Sequence, residues 1–159
     1  NSVEKDAAIR PNQIWAVSLP FTMLDREKEK KVVDKVLEEL YTPYGLRSLS
    51  VNHEEYKSIY IGEVFTRDMA YHQGTTWSFP LGAFMSSYCK VNDYSEQSVQ
   101  FVDGLLMDME NHIKDDCLGG IAEILDGDSP HAPRGCYSQA WGVGEMLRVY
   151  YEDVLGNRK

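Results

Sequence analysis

The sequence predicts an all-α chain of about five helices, stacked so that their loops gather at one end. Apolar residues recur at helical spacing in several separate segments. The segments between them are irregular and hold the polar and aromatic residues, with room for short strands near 45–65. A chain of 159 residues is long enough for one domain with one sizeable core.

Residues 1–8 read as a flexible start, 9–155 as the domain and 156–159 as a tail. The first residue is Asn rather than Met, which suggests a piece of a longer protein. Pro11 suits a helix N-terminus, and Ile14, Trp15, Val17 and Leu19 continue one short apolar helix to Pro20. Asp25 is placed to cap a helix over about 26–40, whose core side is Val32, Val33, Val36, Leu37 and Leu40. Residues 41–70 break the pattern. TPYG signals a turn, and Gly45–Leu49 and Ser58–Phe65 are short extended candidates. Thr75 or Thr76 can cap a helix over about 77–91, with Pro80 tolerable in its first turn. Ser95 precedes a long helix over about 96–114, with Val99, Val102, Leu105, Leu106, Met109 and Ile113 inward. Gly104 inside it costs about 1 kcal/mol against Ala and suggests a close helix contact. The last helix, about 137–154, is apolar on more than one face and should lie between neighbours.

Composition narrows the function. Aromatic content is 11% and charged content 26%, values of a folded globular chain. The net charge of −9 and the lack of a basic stripe argue against nucleic acid, while a neutral carbohydrate is not opposed. No apolar run approaches a membrane span. Cys89, Cys117 and Cys136 are odd in number and scattered, which reads as reduced, mostly buried thiols in a cytoplasmic protein. The four histidines lack metal-ligand spacing, Asp126-Gly-Asp128 lacks the ladder of an EF-hand, and no phosphate loop is present. No metal or cofactor is expected.

Between the last two predicted helices lies GGIAEILDGDSPHAPRGCYSQAW, residues 119–141. It is polar, Gly/Pro-rich and without helical period, the kind of segment on which sites are built. Glu123 stands out there, with Asp126, Asp128, His131 and Arg134 around it. Positioned carboxylates do the acid and base work of glycoside hydrolysis, and an inverting mechanism uses a pair roughly 6.5–9.5 Å apart. The same residues could equally form a structural turn. A second group, Tyr71-His72-Gln73-Gly74-Thr75-Thr76-Trp77, offers aromatic faces and hydroxyl-fixing amides, or else core rings and a cap. Arg10, Asn12 and Gln13 form a third group, and Arg67–Asp68 a fourth. Both fit a cap or an ion pair as well as a ligand.

Taken together, RPNQ (10–13), TPYGLRSLS (42–50), YHQGTTW (71–77) and AEILDGDSPHAPRGCYSQAW (122–141) resemble the C-terminal glucosidase domain of glycogen debranching enzymes, over about Ile9 to Leu155. The last motif also resembles the base-bearing stretch of glucoamylases. The resemblance implies an (α/α)6 barrel, of which this chain would supply the C-terminal portion. It implies inverting hydrolysis of α-1,6-linked glucose at glycogen or limit-dextrin branch points. Glu123 matches the general base, and Tyr71, His72, Gln73 and Trp77 would line the glucose subsite. Arg10, Asn12 and Gln13 would approach from a neighbouring loop, and Gln139 and Trp141 would support the site.

The family's general acid sits in a motif upstream of RPNQ that this sequence lacks, so the chain alone is expected to be silent. Asp68, Glu63 and Asp126 are the nearby substitutes. The expected partners are an α-glucan and either the rest of the barrel or a second copy, through exposed helix faces. Two other readings fit: a non-catalytic carbohydrate-binding helical module, and a glucoamylase-like α-1,4-glucosidase fragment.

Overall fold

The computed structural model describes residues 5–115 and 119–156. Cys117, the second of the three expected thiols, lies outside them. A 3-10 turn, Pro11–Ile14, runs into α1 (Trp15–Ser18). It is followed by α2 (Arg26–Glu39), β1 (Tyr41–Thr42), β2 (Gly45–Arg47), α3 (Val64–Tyr71) and β3 (Thr76–Trp77). Then come α4 (Pro80–Val91), α5 (Glu96–Asp115), β4 (Ile124–Leu125), β5 (Pro133–Arg134) and α6 (Ala140–Val149). The chain continues from α6 into a π-helical segment, Tyr150–Leu155.

The helices that sequence periodicity marks most strongly form where it places them. Asp25 caps α2 by accepting the Lys28 N–H at 2.9 Å. Ser95 opens α5 by accepting the Ser98 N–H. Helix α4 is the centre of the molecule, packed by α1, α2, α5 and α6. All its residues except Tyr88 and Lys90 are buried. Leu81, Phe84 and Met85 from α4 meet Val33 and Val36 from α2, Val102 and Met109 from α5, and Val149 from α6 in one core.

The chain is not all-α. Five short strands pair antiparallel in the order β1-β2-β3-β4-β5. Leu46 faces Trp77, Trp77 faces Ile124, and Ile124 faces Arg134. Thr76 and Trp77 therefore belong to a strand, and α4 starts three residues later than the pattern suggested, at Pro80. β-Branched and aromatic residues fit a paired, half-buried ladder, and here the pairing with β2 and β4 overrides the helical period. Of the two extended candidates, the first becomes β2. The second carries no ladder and instead runs into α3, whose Val64, Phe65 and Met69 are exposed.

Two further expectations are corrected. A Cβ at Gly104 would meet nothing within 4 Å, so no helix packs there. The last helix is not enclosed either, since Leu147 and Tyr151 are more than half exposed while Met146, Val149 and Val154 are buried.

Glycine has opposite meanings at two positions. Gly104→Ala should raise stability by about 0.5–1 kcal/mol, because the helix gains propensity and nothing is displaced. At Gly45 an added Cβ would lie 2.1 Å from the Trp77 carbonyl oxygen across the ladder. Gly45→Ala should therefore destabilise by about 1–3 kcal/mol. Urea denaturation of both variants checks the pair, and a stabilising Gly45→Ala would contradict the close β2–β3 approach.

Candidate active site

The β3–β4 pairing lays the Tyr71–Trp77 motif beside the 119–136 loop. Gly119, at φ 104°, turns the chain before it enters β4. The loop then becomes a hairpin. Asp126 accepts two hydrogen bonds from Arg134 Nε, at 3.1 and 3.2 Å, one from Arg134 Nη2 at 2.8 Å, and one from the Tyr60 N–H at 2.9 Å. Asp128 accepts from the Tyr56 hydroxyl. His131 Nδ1–H donates to the Asp126 carbonyl. Arg47 Nε donates to the Gly127 carbonyl, and the Gly127 N–H donates to the Ser58 carbonyl. Asp126, Asp128, His131 and Arg134 are thus occupied in folding the hairpin and anchoring it to the 56–60 segment.

Glu123 has different surroundings. Its backbone N–H donates to the Cys136 carbonyl. Its side chain reaches across to the end of α3, where Oε1 accepts from the Tyr71 hydroxyl at 2.5 Å. Oε2 accepts the Cys136 N–H at 2.9 Å. A Cβ at Gly135 would stand 2.4 Å from Oε2, so only glycine lets the chain close over that oxygen. Burial acts against ionisation, but hydrogen bonds, led by those from Tyr71 and the Cys136 N–H, outweigh it and hold the carboxyl below the ordinary glutamate range. Burial and then the bond to Glu123 push the Tyr71 phenol the other way, well above the ordinary tyrosine range. The pair is a carboxylate and a protonated phenol.

Aromatic rings surround this pair. Tyr71 meets Trp77 edge-on at 4.9 Å, and His72 stacks on Trp77 at 5.0 Å and 13°. Phe79 stacks on Trp141 at 4.1 Å and 15°. Pocket-forming rings of this kind suit a sugar face. A cleft of about 510 Å³ is lined by His72, Trp77, Phe79 and Trp141 together with Arg10, Pro11 and Asn12. Phe79 is the lining ring that sequence reading missed. Its proximity to Trp77 was visible, but its stack with Trp141 exists only in three dimensions. Glu123, 9% exposed, is not itself part of the lining and connects to it through Tyr71, whose ring meets Trp77.

The remaining sequence-predicted residues divide by what they touch. Arg10 reaches the motif loop and donates to the carbonyls of Ser48 and His72 and to Gln73 Oε1. Gln73 is in turn bound to Glu55. Gln13 turns back onto the Arg10 carbonyl. Gln139 precedes α6, where its N–H donates to the Ile121 carbonyl. Trp141 is 41% exposed at the cleft mouth. Arg67 lies over the Tyr60 ring, and Asp68 and Glu63 are exposed. Among the described residues no group of three or more His, Cys, Asp or Glu is placed to hold a metal ion. No described helix is long and apolar enough to cross a membrane.

Because the folded state lowers the pKa of Glu123, the ionised side chain stabilises the fold above the unfolded value. That contribution is lost as pH falls through the folded value. Glu123→Gln should therefore flatten the loss of stability on acidification from about pH 7 to about pH 3. Urea midpoints across that range measure it, and an unchanged acid limb would contradict the arrangement.

A family model described as amylo-alpha-1,6-glucosidase matches residues 1–148. The chain belongs to that family.

Proposed function

We propose that Glu123 is the general base of an inverting hydrolysis that removes α-1,6-linked glucose at branch points of glycogen or a limit dextrin. The observation that carries this reading is a nearly buried carboxylate bonded by Tyr71 and the Cys136 N–H, with the Tyr71 ring against Trp77, a wall of the cleft. A general base must hold its charge before the reaction, whereas a general acid of this class needs its pKa raised. Glu123 is on the base side of that division. Water approaches the carboxylate along its small exposed edge, while the sugar stacks on the rings that line the cleft. An α-glucan, neutral and rich in hydroxyls, suits aromatic walls flanked by Arg10 and Asn12.

The general acid is supplied from outside these residues. Asp126 is bound by Arg134, and Asp68 and Glu63 stand exposed at α3. In this reading the chain works as part of a larger cytoplasmic enzyme and is silent alone. Apolar faces left open on α3 and along α5–α6, where a groove of about 460 Å³ includes Leu106, Met107, Val143 and Leu147, would bury against the rest of that enzyme or a second copy.

Glucose release from limit dextrin tests the assignment. The complete enzyme should lose about 10²–10⁴-fold of its rate on Glu123→Gln, the contribution of one acid–base group. The isolated chain should release none. Undiminished release by the variant would refute the base role, and Glu123-dependent release by the isolated chain would place the acid within it. A carbohydrate-binding module would instead ignore Glu123→Gln and lose glucan affinity on Trp77→Ala.

A further inference from the structure

The contact between Tyr71 and Glu123 joins two distant parts of the chain. Tyr71 ends α3, 52 residues before Glu123, and its hydroxyl donates directly to Oε1. Several contacts hold this residue. Its own backbone carbonyl accepts from Trp77 Nε1 at 3.2 Å and Thr75 Oγ1 at 2.7 Å. The next carbonyl, that of His72, is held by Arg10 at 2.7 Å. The ring meets Tyr60 at 5.5 Å and, edge-on, Trp77 at 4.9 Å. A phenol anchored from the backbone on one side and by rings on the other presents its O–H at a fixed point.

With Oε1 held by Tyr71 and Oε2 by the Cys136 N–H, the carboxylate cannot rotate about its last torsion without losing a donor. We propose that Tyr71 is a positioning residue for Glu123, setting the plane of the carboxylate so that its unused lone pair faces the attacking water, and that its hydroxyl does not bind the sugar. The inference rests on Glu123 being the base. It revises the role that the motif alone suggests for Tyr71, a wall of the glucose subsite. No proton passes between the two groups: Glu123 takes the proton of the water, and the phenol keeps its own throughout. Each carboxylate oxygen spends one acceptor site on the protein and retains another. Mispointing a catalytic group by a small angle is costly because the reacting atoms must be aligned, so the effect belongs in kcat.

The contact can be read without turnover. Carboxyl-¹³C NMR of glutamate-labelled chain follows the titration of Glu123, assigned by its disappearance in Glu123→Gln. In Tyr71→Phe the Glu123 titration should move upward, and in Tyr60→Phe, which keeps the ring pair but touches no carboxylate oxygen of Glu123, it should stay in place. Reciprocally, the Tyr71 phenol titration should move downward in Glu123→Gln, a variant that keeps the fold even if Tyr71→Phe does not. An unmoved Glu123 titration in Tyr71→Phe, or an unmoved Tyr71 titration in Glu123→Gln, overturns the proposal.

In the complete enzyme, Tyr71→Phe should lower kcat roughly ten- to a hundredfold, the loss of one hydrogen bond to a charged group, with KM within about twofold. A rise in KM at unchanged kcat would make Tyr71 a sugar contact and overturn the proposal. Release that survives Glu123→Gln would refute the base reading separately, and the two titrations would still decide whether the contact holds.

Discussion

Glu123 is a carboxylate that folding takes almost wholly out of water, and much of the local structure exists to supply donors to it. An ionised group in such a place is costly unless its oxygens are bonded. Here the donors come from separate elements: the Tyr71 hydroxyl from the end of α3 and the Cys136 N–H from beyond β5. Neither is near Glu123 in sequence. They converge because β3 and β4 pair at Trp77 and Ile124, which docks the 119–136 loop against the aromatic motif. The sheet is small, but without it the carboxylate would lack its donor from α3.

Around that carboxylate the polar residues separate into two roles by geometry. Asp126 and Asp128 are consumed by Arg134, the Tyr60 N–H and the Tyr56 hydroxyl, so they rigidify the hairpin. Glu123 is bonded only through donors that favour its charge while leaving acceptor capacity. The aromatic residues also divide. Tyr71 and Trp77 pack inward, whereas Phe79 and Trp141 form a stacked pair at the mouth of the cleft. A rigid hairpin, a charged group at its base and a ring-lined opening are the ingredients that a glucan-processing family would need from this part of its fold.

What could be read from the sequence follows from which forces are local. Helices α2 and α5 announce themselves because burial of one face imprints the 3.6 period on consecutive residues, and α4 through the wide apolar face of a helix buried almost all round. The sheet leaves no such imprint. Each of its strands is two or three residues long, too short for alternation, and the pairing partners are up to 49 residues apart, as with Thr76 and Leu125. Helix α3 was hidden for another reason: Val64, Phe65 and Met69 are exposed, so no buried stripe marks it. At the site, the loop pattern put Glu123 first but left Asp126 available as a second carboxylate of the same loop. The family's motif singled out Glu123, but only coordinates show that Arg134 occupies Asp126. Gln13 and Gln73 show the same limit, because an amide that folds back on the Arg10 carbonyl and one bound between Arg10 and Glu55 look identical in sequence to amides aimed at a ligand.

A carboxylate that acts as general base has a stereochemical consequence that no packing argument can mimic. A base that activates water on the face opposite the leaving group inverts the anomeric centre. The most direct measurement is ¹H NMR of the first glucose released from limit dextrin by the complete enzyme, recorded before mutarotation mixes the anomers. The base role of Glu123 predicts β-glucose. Initial α-glucose would mean that configuration is retained, and Glu123 would then not be acting as the base.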